Sequence, residues 1–229
     1  MVISAVKSIW SDNNMLYEYL LKNYKPNEPI FTADIDLDIN GNTLRPQFKQ
    51  LCDQGLLKRF DNGIFFIPSQ SRLKGGASID AGTVARYKYI LRRGQIVGYY
   101  SGFTFANQAG LTTQVPVTIE IVSNEASAKV RDVDIKGQTI RLRKPKTTVT
   151  KENARVLQFL DLLCDIDRLS DEDGVNVSKR LKEIIEIENI KKADIDSFIS
   201  LYPLKVYKNF YDYGLYEAFF RCNIKRATN

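Results

Sequence analysis

The chain contains no histidine. This excludes Ser-His-Asp and Cys-His nucleophilic sites, histidine acid–base chemistry and every zinc site with a histidine ligand. Cysteine is scarce. Cys52, Cys164 and Cys222 lie far apart, form no Cys-x-x-Cys pair and cannot give a zinc ion four thiolates. An odd, sparse set of thiols suits a reducing cytoplasm, and a cytoplasmic location is expected. No stretch approaches the roughly 18 consecutive apolar residues of a membrane span, so no membrane association is expected. Met1 to Trp10 lacks the basic start and long apolar run of a secretory leader. Phosphate-loop and dinucleotide fingerprints are missing, as are internal repeats and low-complexity tracts.

What remains is an ordinary globular composition: 229 residues, 44 % hydrophobic and 26 % charged. That is enough chain for two small domains with real cores. The formal net charge of +6 is unevenly spread. Residues 1–75 are net +1, residues 76–150 net +6 and residues 151–229 net −1. A concentrated basic segment favours a polyanionic partner, and a merely solvated basic face is the alternative.

Residues 12–24 have helical spacing, with Leu16, Leu20 and Tyr24 on one face beside Tyr17 and Leu21. Pro26 and Pro29 end this helix. Phe31 to Ile35 is expected to form a short second helix capped by Thr32, followed by a turn over Asp38 to Gly41. Residues 43–54 predict a third helix, capped by Asn42 or Thr43, with Pro46 in its first turn. Its buried stripe is Leu44, Phe48 and Leu51, with Cys52 a small core residue beside it, and Gly55 stops it. Two apolar runs, Leu56 to Phe60 and Ile64 to Pro68, flank Asp61-Asn62-Gly63, a strong hairpin signal.

Helix, short helix, helix and hairpin is the order of a winged helix-turn-helix. The third helix would then read DNA with Thr43, Arg45, Gln47, Lys49 and Gln50 on its solvent side. Lys58, Arg59 and Asn62 would touch backbone or minor groove from the wing. A winged helix used only for protein contacts is the alternative.

Residues 69–76 have the composition of a linker, and a second domain is expected over 77–229. It is strand-rich over 94–146 and helical over 151–220. A helix is expected over 80–92, another from Gly102 to Ala109 capped by Ser101, and a strand from Val117 to Val122. Asp132 to Ile135 and Gln138 to Arg143 predict a hairpin, with Ile140 and Leu142 on one face and Arg141 and Arg143 on the other. Helices follow over 152–169, 178–189 and 193–201, and a last one begins at Pro203 and is interrupted at Gly214. The expected class is α+β: an N-terminal winged helix-turn-helix over 1–70, then a mixed α/β domain with a helical C-terminal part.

Signals for catalysis are poor, and no enzymatic activity, metal or cofactor is expected. Gly75-Gly76-Ala77-Ser78 has some likeness to the Gly-Gly/Ser turn of nucleotidyltransferases. Asp132 and Asp134 have the spacing of a metal-binding carboxylate pair, but they follow some fifty residues later rather than about ten to fifteen. Asp171 to Gly174 lacks the other ligand positions of a calcium loop and reads as an interhelical turn.

Two stretches resemble AbiEi-type antitoxins. One is Leu44 to Pro68, above all Leu51 to Arg59 leading into Asn62-Gly63-Ile64-Phe65-Phe66-Ile67-Pro68. The other is Gly98 to Pro116, a Ser-Gly, a helix, then Gly110-Leu111-Thr112-Thr113-Gln114-Val115-Pro116 before a strand. Together they span about residues 30–122. The resemblance implies a bacterial abortive-infection antitoxin and transcriptional autorepressor of a type IV toxin–antitoxin system. Its winged helix would bind inverted repeats in double-stranded promoter DNA. Its second domain would counteract a co-encoded nucleotidyltransferase-like toxin, with or without a stable complex. The antitoxin surface is expected at the basic edge Arg131, Arg141, Arg143, Lys144 and Lys146, where the excess charge lies. A protein- or RNA-binding scaffold without specific DNA binding is the alternative, with a metal-dependent nucleotidyltransferase behind it.

Overall fold

A computed structural model describes residues 15–37, 41–69 and 78–219, with backbone only for residues 41–43. The expected linker, the Asp38 to Gly41 turn, Cys222 and the Lys225-Arg226 end lie wholly or largely outside these residues. The chain divides into two compact units, Met1–Tyr87 and Lys88–Asn229. The class is α+β.

In the first unit, helix α1 (residues 15–23) buries Leu16 and Leu20 completely. The expected second helix is not one. Ile30–Phe31 form a short strand, β1, and only Thr32–Asp34 coil into a single 3-10 turn. The reason is pairing at a distance. β1 lies antiparallel to β3 (Ile64–Phe66), with Ile30 opposite Phe65, and β3 pairs on its other side with β2 (Lys58–Asp61). The sheet order is therefore β1–β3–β2. Helix α2 (Gly41–Asp53) starts two residues earlier than the sequence suggests, so Pro46 falls in the second turn. Its missing N–H leaves the Asn42 carbonyl without an intrahelical donor. Leu51 and Phe48 are buried from α2 against Leu16, Leu20, Ile30, Leu57, Phe65 and Ile67.

Helix α3 (Ala81–Tyr89) is shorter than the expected helix and falls largely within the first unit, so the second unit begins at Lys88 rather than near residue 77. Arg93 and Gly94 both take positive φ, and this turn pairs β4 (Leu91–Arg92) with β5 (Gln95–Ile96). A four-stranded sheet follows, in the order β6–β7–β9–β8. Its strands are β6 (Gly98–Tyr100), β7 (Ile119–Ser123), β8 (Val130–Ile135) and β9 (Gln138–Arg143). β7 runs parallel to β9, and both outer strands are antiparallel to their neighbours. Between β6 and β7 stands α4 (Gly102–Gln108). Gly102 has φ +53 and lies against the Glu120 carboxylate, which accepts a hydrogen bond from Phe103 N at 3.1 Å.

Helix α5 (Ala154–Leu169) is the hub. Ten of its residues are buried, and a narrow polar side carries Arg155, Gln158, Asp165 and Arg168. Around it pack α4, α6 (Gly174–Ile187), α7 (Lys192–Phe198) and α8 (Leu204–Asp212). Helix α6 starts earlier than its apolar spacing suggests. The Asp173 carboxylate caps it by accepting from Val175 N at 3.0 Å and Asn176 N at 2.9 Å. The Gly110 to Pro116 stretch is fastened to the turn between α5 and α6. Thr112 Oγ1 and Gln114 Nε2 both donate to Asp171, and Ser170 Oγ donates to the Leu111 carbonyl at 3.0 Å. That motif therefore has a structural use within its own unit.

Gly98 is the tightest position on the sheet. A Cβ there would sit 2.3 Å from the Tyr89 carbonyl oxygen and 2.5 Å from that of Val122. Gly98→Ala should cost roughly 1–3 kcal/mol by displacing one of two backbones, read by urea unfolding. Wild-type stability would show that β6 can shift freely.

Candidate nucleic-acid interface

In the first unit, α2 and its hairpin meet through an aromatic contact within the apolar cluster. The Phe48 and Phe65 rings lie 4.6 Å apart, tilted by 32°. Leu56 N and Leu57 N both donate to the Leu51 carbonyl, so the chain leaves α2 directly into β2, with Gly55 at φ +73. Arg45 and Lys49, one helical turn apart, face solvent, and Gln50 is half-buried. Thr43 lies on the first turn of α2, where only backbone is described.

Gln47 corrects the sequence reading. It was expected on the solvent side and is only 5 % exposed. Leu44, Gln47, Phe48 and Leu51 fall at the 3,4 spacing of a single helix face, and that face is the buried one. The Gln47 Oε1 atom has no hydrogen-bond partner among the described residues. An enclosed amide cannot reach a base edge, so Gln47 leaves the set of candidate reading residues.

The hairpin tip is held by its own polar groups. Arg59 Nε donates to the Asp61 carbonyl at 3.3 Å, and its guanidinium donates to Asn62 Oδ1. Asn62 N donates to Asp61 Oδ1 at 2.7 Å. A bulge lies between Arg59 and Asp61, and Gly63 turns the chain with φ +70. Arg59 and Asn62 are exposed and Lys58 is half-buried. Cys52 is half-buried beside the core rather than within it, and burial and the neighbouring Asp53 push its thiol up.

In the second unit the five expected basic residues have different fates. Arg141 is exposed and makes a two-pronged ion pair with Asp132, each contact 2.9 Å. That hydrogen-bonded pair holds the Asp132 carboxyl below its ordinary value. Asp134 Oδ1 accepts from Gly137 N at 3.1 Å and shapes the hairpin turn. The two carboxylates that suggested a metal pair thus each serve the β8–β9 hairpin. Among the described residues no group of three or more Cys, Asp or Glu could hold a metal ion.

Arg143 is not part of a free edge. The register aligns it with Val122 and Tyr99, on the sheet face that α5 covers. There it meets Asp161 at 3.4 Å. Tyr99 Oη also donates to Asp161, at 2.9 Å, while Tyr202 Oη donates to the Leu157 carbonyl at 3.1 Å. Lys146 Nζ lies 4.9 Å from the centre of the Tyr202 ring. Arg131, Lys144 and Lys146 are exposed. Sequence reasoning missed Asp161. The available signal was a carboxylate inside the apolar run Val156 to Leu163 of α5.

Burial raises the Asp161 carboxyl above its ordinary value, and Arg143 and the Tyr99 hydroxyl offset this only in part. Burial also raises the Tyr99 and Tyr202 hydroxyls, which stay protonated. A carboxyl raised in the folded state binds its proton more tightly there than in the unfolded chain. Its contribution to stability is therefore full below the unfolded value of about 4 and is lost as pH rises through the folded value. Asp161→Asn cannot titrate. Urea unfolding at about pH 4.5 and about pH 7.5 should show the wild type gaining on the variant at the lower pH. A constant difference would contradict burial as the dominant effect.

Gln47→Met replaces an amide whose oxygen is unpartnered by an apolar chain of similar shape. It should raise stability by roughly 1 kcal/mol and leave nucleic-acid affinity unchanged. Weaker binding on folded protein would return Gln47 to the interface.

The family model described as "Family of unknown function (DUF6088)" matches residues 18–193, a span that takes in α2, the hairpin, the four-stranded sheet and α5. No curated protein matches the chain. The match covers more than half of the sequence, and the chain belongs to the DUF6088 family.

Proposed function

We propose that the protein is a non-enzymatic DNA-binding regulator whose first unit is a winged helix-turn-helix. The observation that carries this reading is the arrangement of α2. Its inner face is fixed to β3 through Phe48 and Phe65. Its outer face offers Arg45 and Lys49 to solvent, and a hairpin with Arg59 and Asn62 at its tip follows directly. The succession of helix, strand, 3-10 turn, helix and hairpin, with strand order β1–β3–β2, supports the same assignment. Arg45 and Lys49 would enter the major groove, with Gln50 beside them and Thr43 at the entry. Lys58, Arg59 and Asn62 would lie along the backbone or minor groove.

The resemblance to AbiEi-type antitoxins supports a bacterial autorepressor that binds inverted repeats upstream of its own gene. On this reading the second unit counteracts a co-encoded nucleotidyltransferase-like toxin in the cytoplasm, without a cofactor.

If about six phosphates are neutralised, log affinity should fall with log salt at a slope near −5. Arg45→Ala should lose about 1–3 kcal/mol of binding to the upstream duplex and little on a scrambled duplex of equal length. Fluorescence anisotropy on both duplexes measures this. Equal loss on both would reduce Arg45 to a phosphate contact, and absence of any preference by the wild type would overturn the repressor reading.

A further inference from the structure

Many basic residues of the second unit are ion-paired. Arg92, Arg141, Arg143, Arg155, Arg168, Arg180, Lys182, Lys192, Lys205 and Lys208 each lie within 4 Å of a carboxylate. One end of the β8–β9 ladder gathers three basic residues outside these pairs. Lys144 N donates to the Lys129 carbonyl at 3.1 Å, extending the ladder one pair beyond Val130 and Arg143. Lys129 and Lys144 thus stand opposite each other, and Arg131 follows Lys129 on the same side of β8. All three are exposed, and no ion pair is formed by any of them among the described residues. Like charges directly opposite on a ladder oppose folding. The same hairpin places Asp132 against Arg141 two positions away, so Arg141 is neutralised while Lys129, Arg131 and Lys144 form no ion pair among the described residues.

We propose that Lys129, Arg131 and Lys144 form a contact surface for the phosphodiester backbone of a nucleic acid. An external polyanion supplies the negative charge that the chain withholds at this point, and counterion release makes the contact favourable. Positive groups repeated at alternate positions of a strand suit a regularly repeating anion better than a single carboxylate. Arg143 points to the opposite sheet face and pairs with Asp161, and the exposed Lys146 ammonium lies over the Tyr202 ring, so neither is counted in the surface. This end of the hairpin also places the surface at an outer strand, since β8 pairs only with β9. The inference stands apart from the promoter-binding reading, because no group of the first unit enters it.

The test is fluorescence anisotropy of the full chain over a salt series, on two labelled probes: a mixed-sequence single-stranded RNA and a mixed-sequence DNA duplex. The variant is Lys129→Gln with Arg131→Gln and Lys144→Gln. A charge-matched variant, Lys179→Gln with Lys192→Gln and Lys208→Gln, removes three exposed lysines elsewhere. At roughly 0.7–0.9 of salt slope per phosphate, the first triple should make the slope shallower by about 2–3 on at least one probe. The matched triple should stay near wild type. A change on RNA alone assigns the surface to RNA, and a change on DNA alone to duplex. Equal slopes for wild type and first triple, equal loss in both triples, or no binding by wild type to either probe would each overturn the proposal. Lys144→Gln alone should give about a third of the change, which keeps the test decisive if the triple fails to fold. The promoter preference read through Arg45 is measured on separate duplexes, so either idea can fail without the other.

Discussion

The contact between Phe48 and Phe65 decides what the first unit can present. Two rings 4.6 Å apart fix α2 against β3, and the orientation of every other α2 side chain follows from the helical repeat. Once Phe48 and Leu51 point inward, Gln47 is carried inward with them, while Arg45 and Lys49 must point out. The chain then leaves α2 at Gly55 straight into the hairpin, so the basic helix face and the hairpin tip belong to one rigid piece. Rigid placement matters for a groove-reading surface, because side chains must meet base edges in a fixed register.

The second unit depends in the same way on α5, with one polar departure. Asp161 is a carboxylate enclosed by an apolar helix environment, held by Tyr99 from β6 and Arg143 from β9. The network ties sheet to helix, and it draws Arg143 out of the basic edge that composition alone suggests. Asn209 acts similarly on the other side of α5, donating from α8 to the Leu163 carbonyl at 2.9 Å. Buried polar groups of this kind cost stability when half satisfied and specify one arrangement when their partners are in place.

Much of this organisation is legible in the sequence where the signal is local. The Asn-Gly turn announces the β2–β3 hairpin, Lys136-Gly137 announces β8–β9 with β9 exactly spanned, and the apolar spacing of α5 and α8 is plain. Failures occur where partners are distant. Ile30 and Phe31 become a strand only because Phe65 and Ile64 lie beside them, and nothing nearby reveals that. Tyr99 is 62 residues from Asp161, so their bond is invisible to periodicity. Gln47 is a different error. Its position at the spacing of Leu44, Phe48 and Leu51 was readable, but its residue type suggested a base contact. In the basic edge, composition located the charge correctly, yet only the register separates Arg141 and Arg143, which have carboxylate partners, from Lys129, Arg131 and Lys144, which form no ion pair among the described residues.

The central claim is that the outward face of α2 rests on DNA. Photo-crosslinking tests it most directly, with a benzophenone side chain placed at Lys49 and, in a second protein, at the exposed Ile187 of α6. With the duplex upstream of the gene, the Lys49 position should crosslink strongly, and unlabelled duplex of the same sequence should compete far better than scrambled duplex. The Ile187 position should crosslink weakly. Retained DNA binding with no crosslink from Lys49, or equal crosslinking from both positions, would contradict the account.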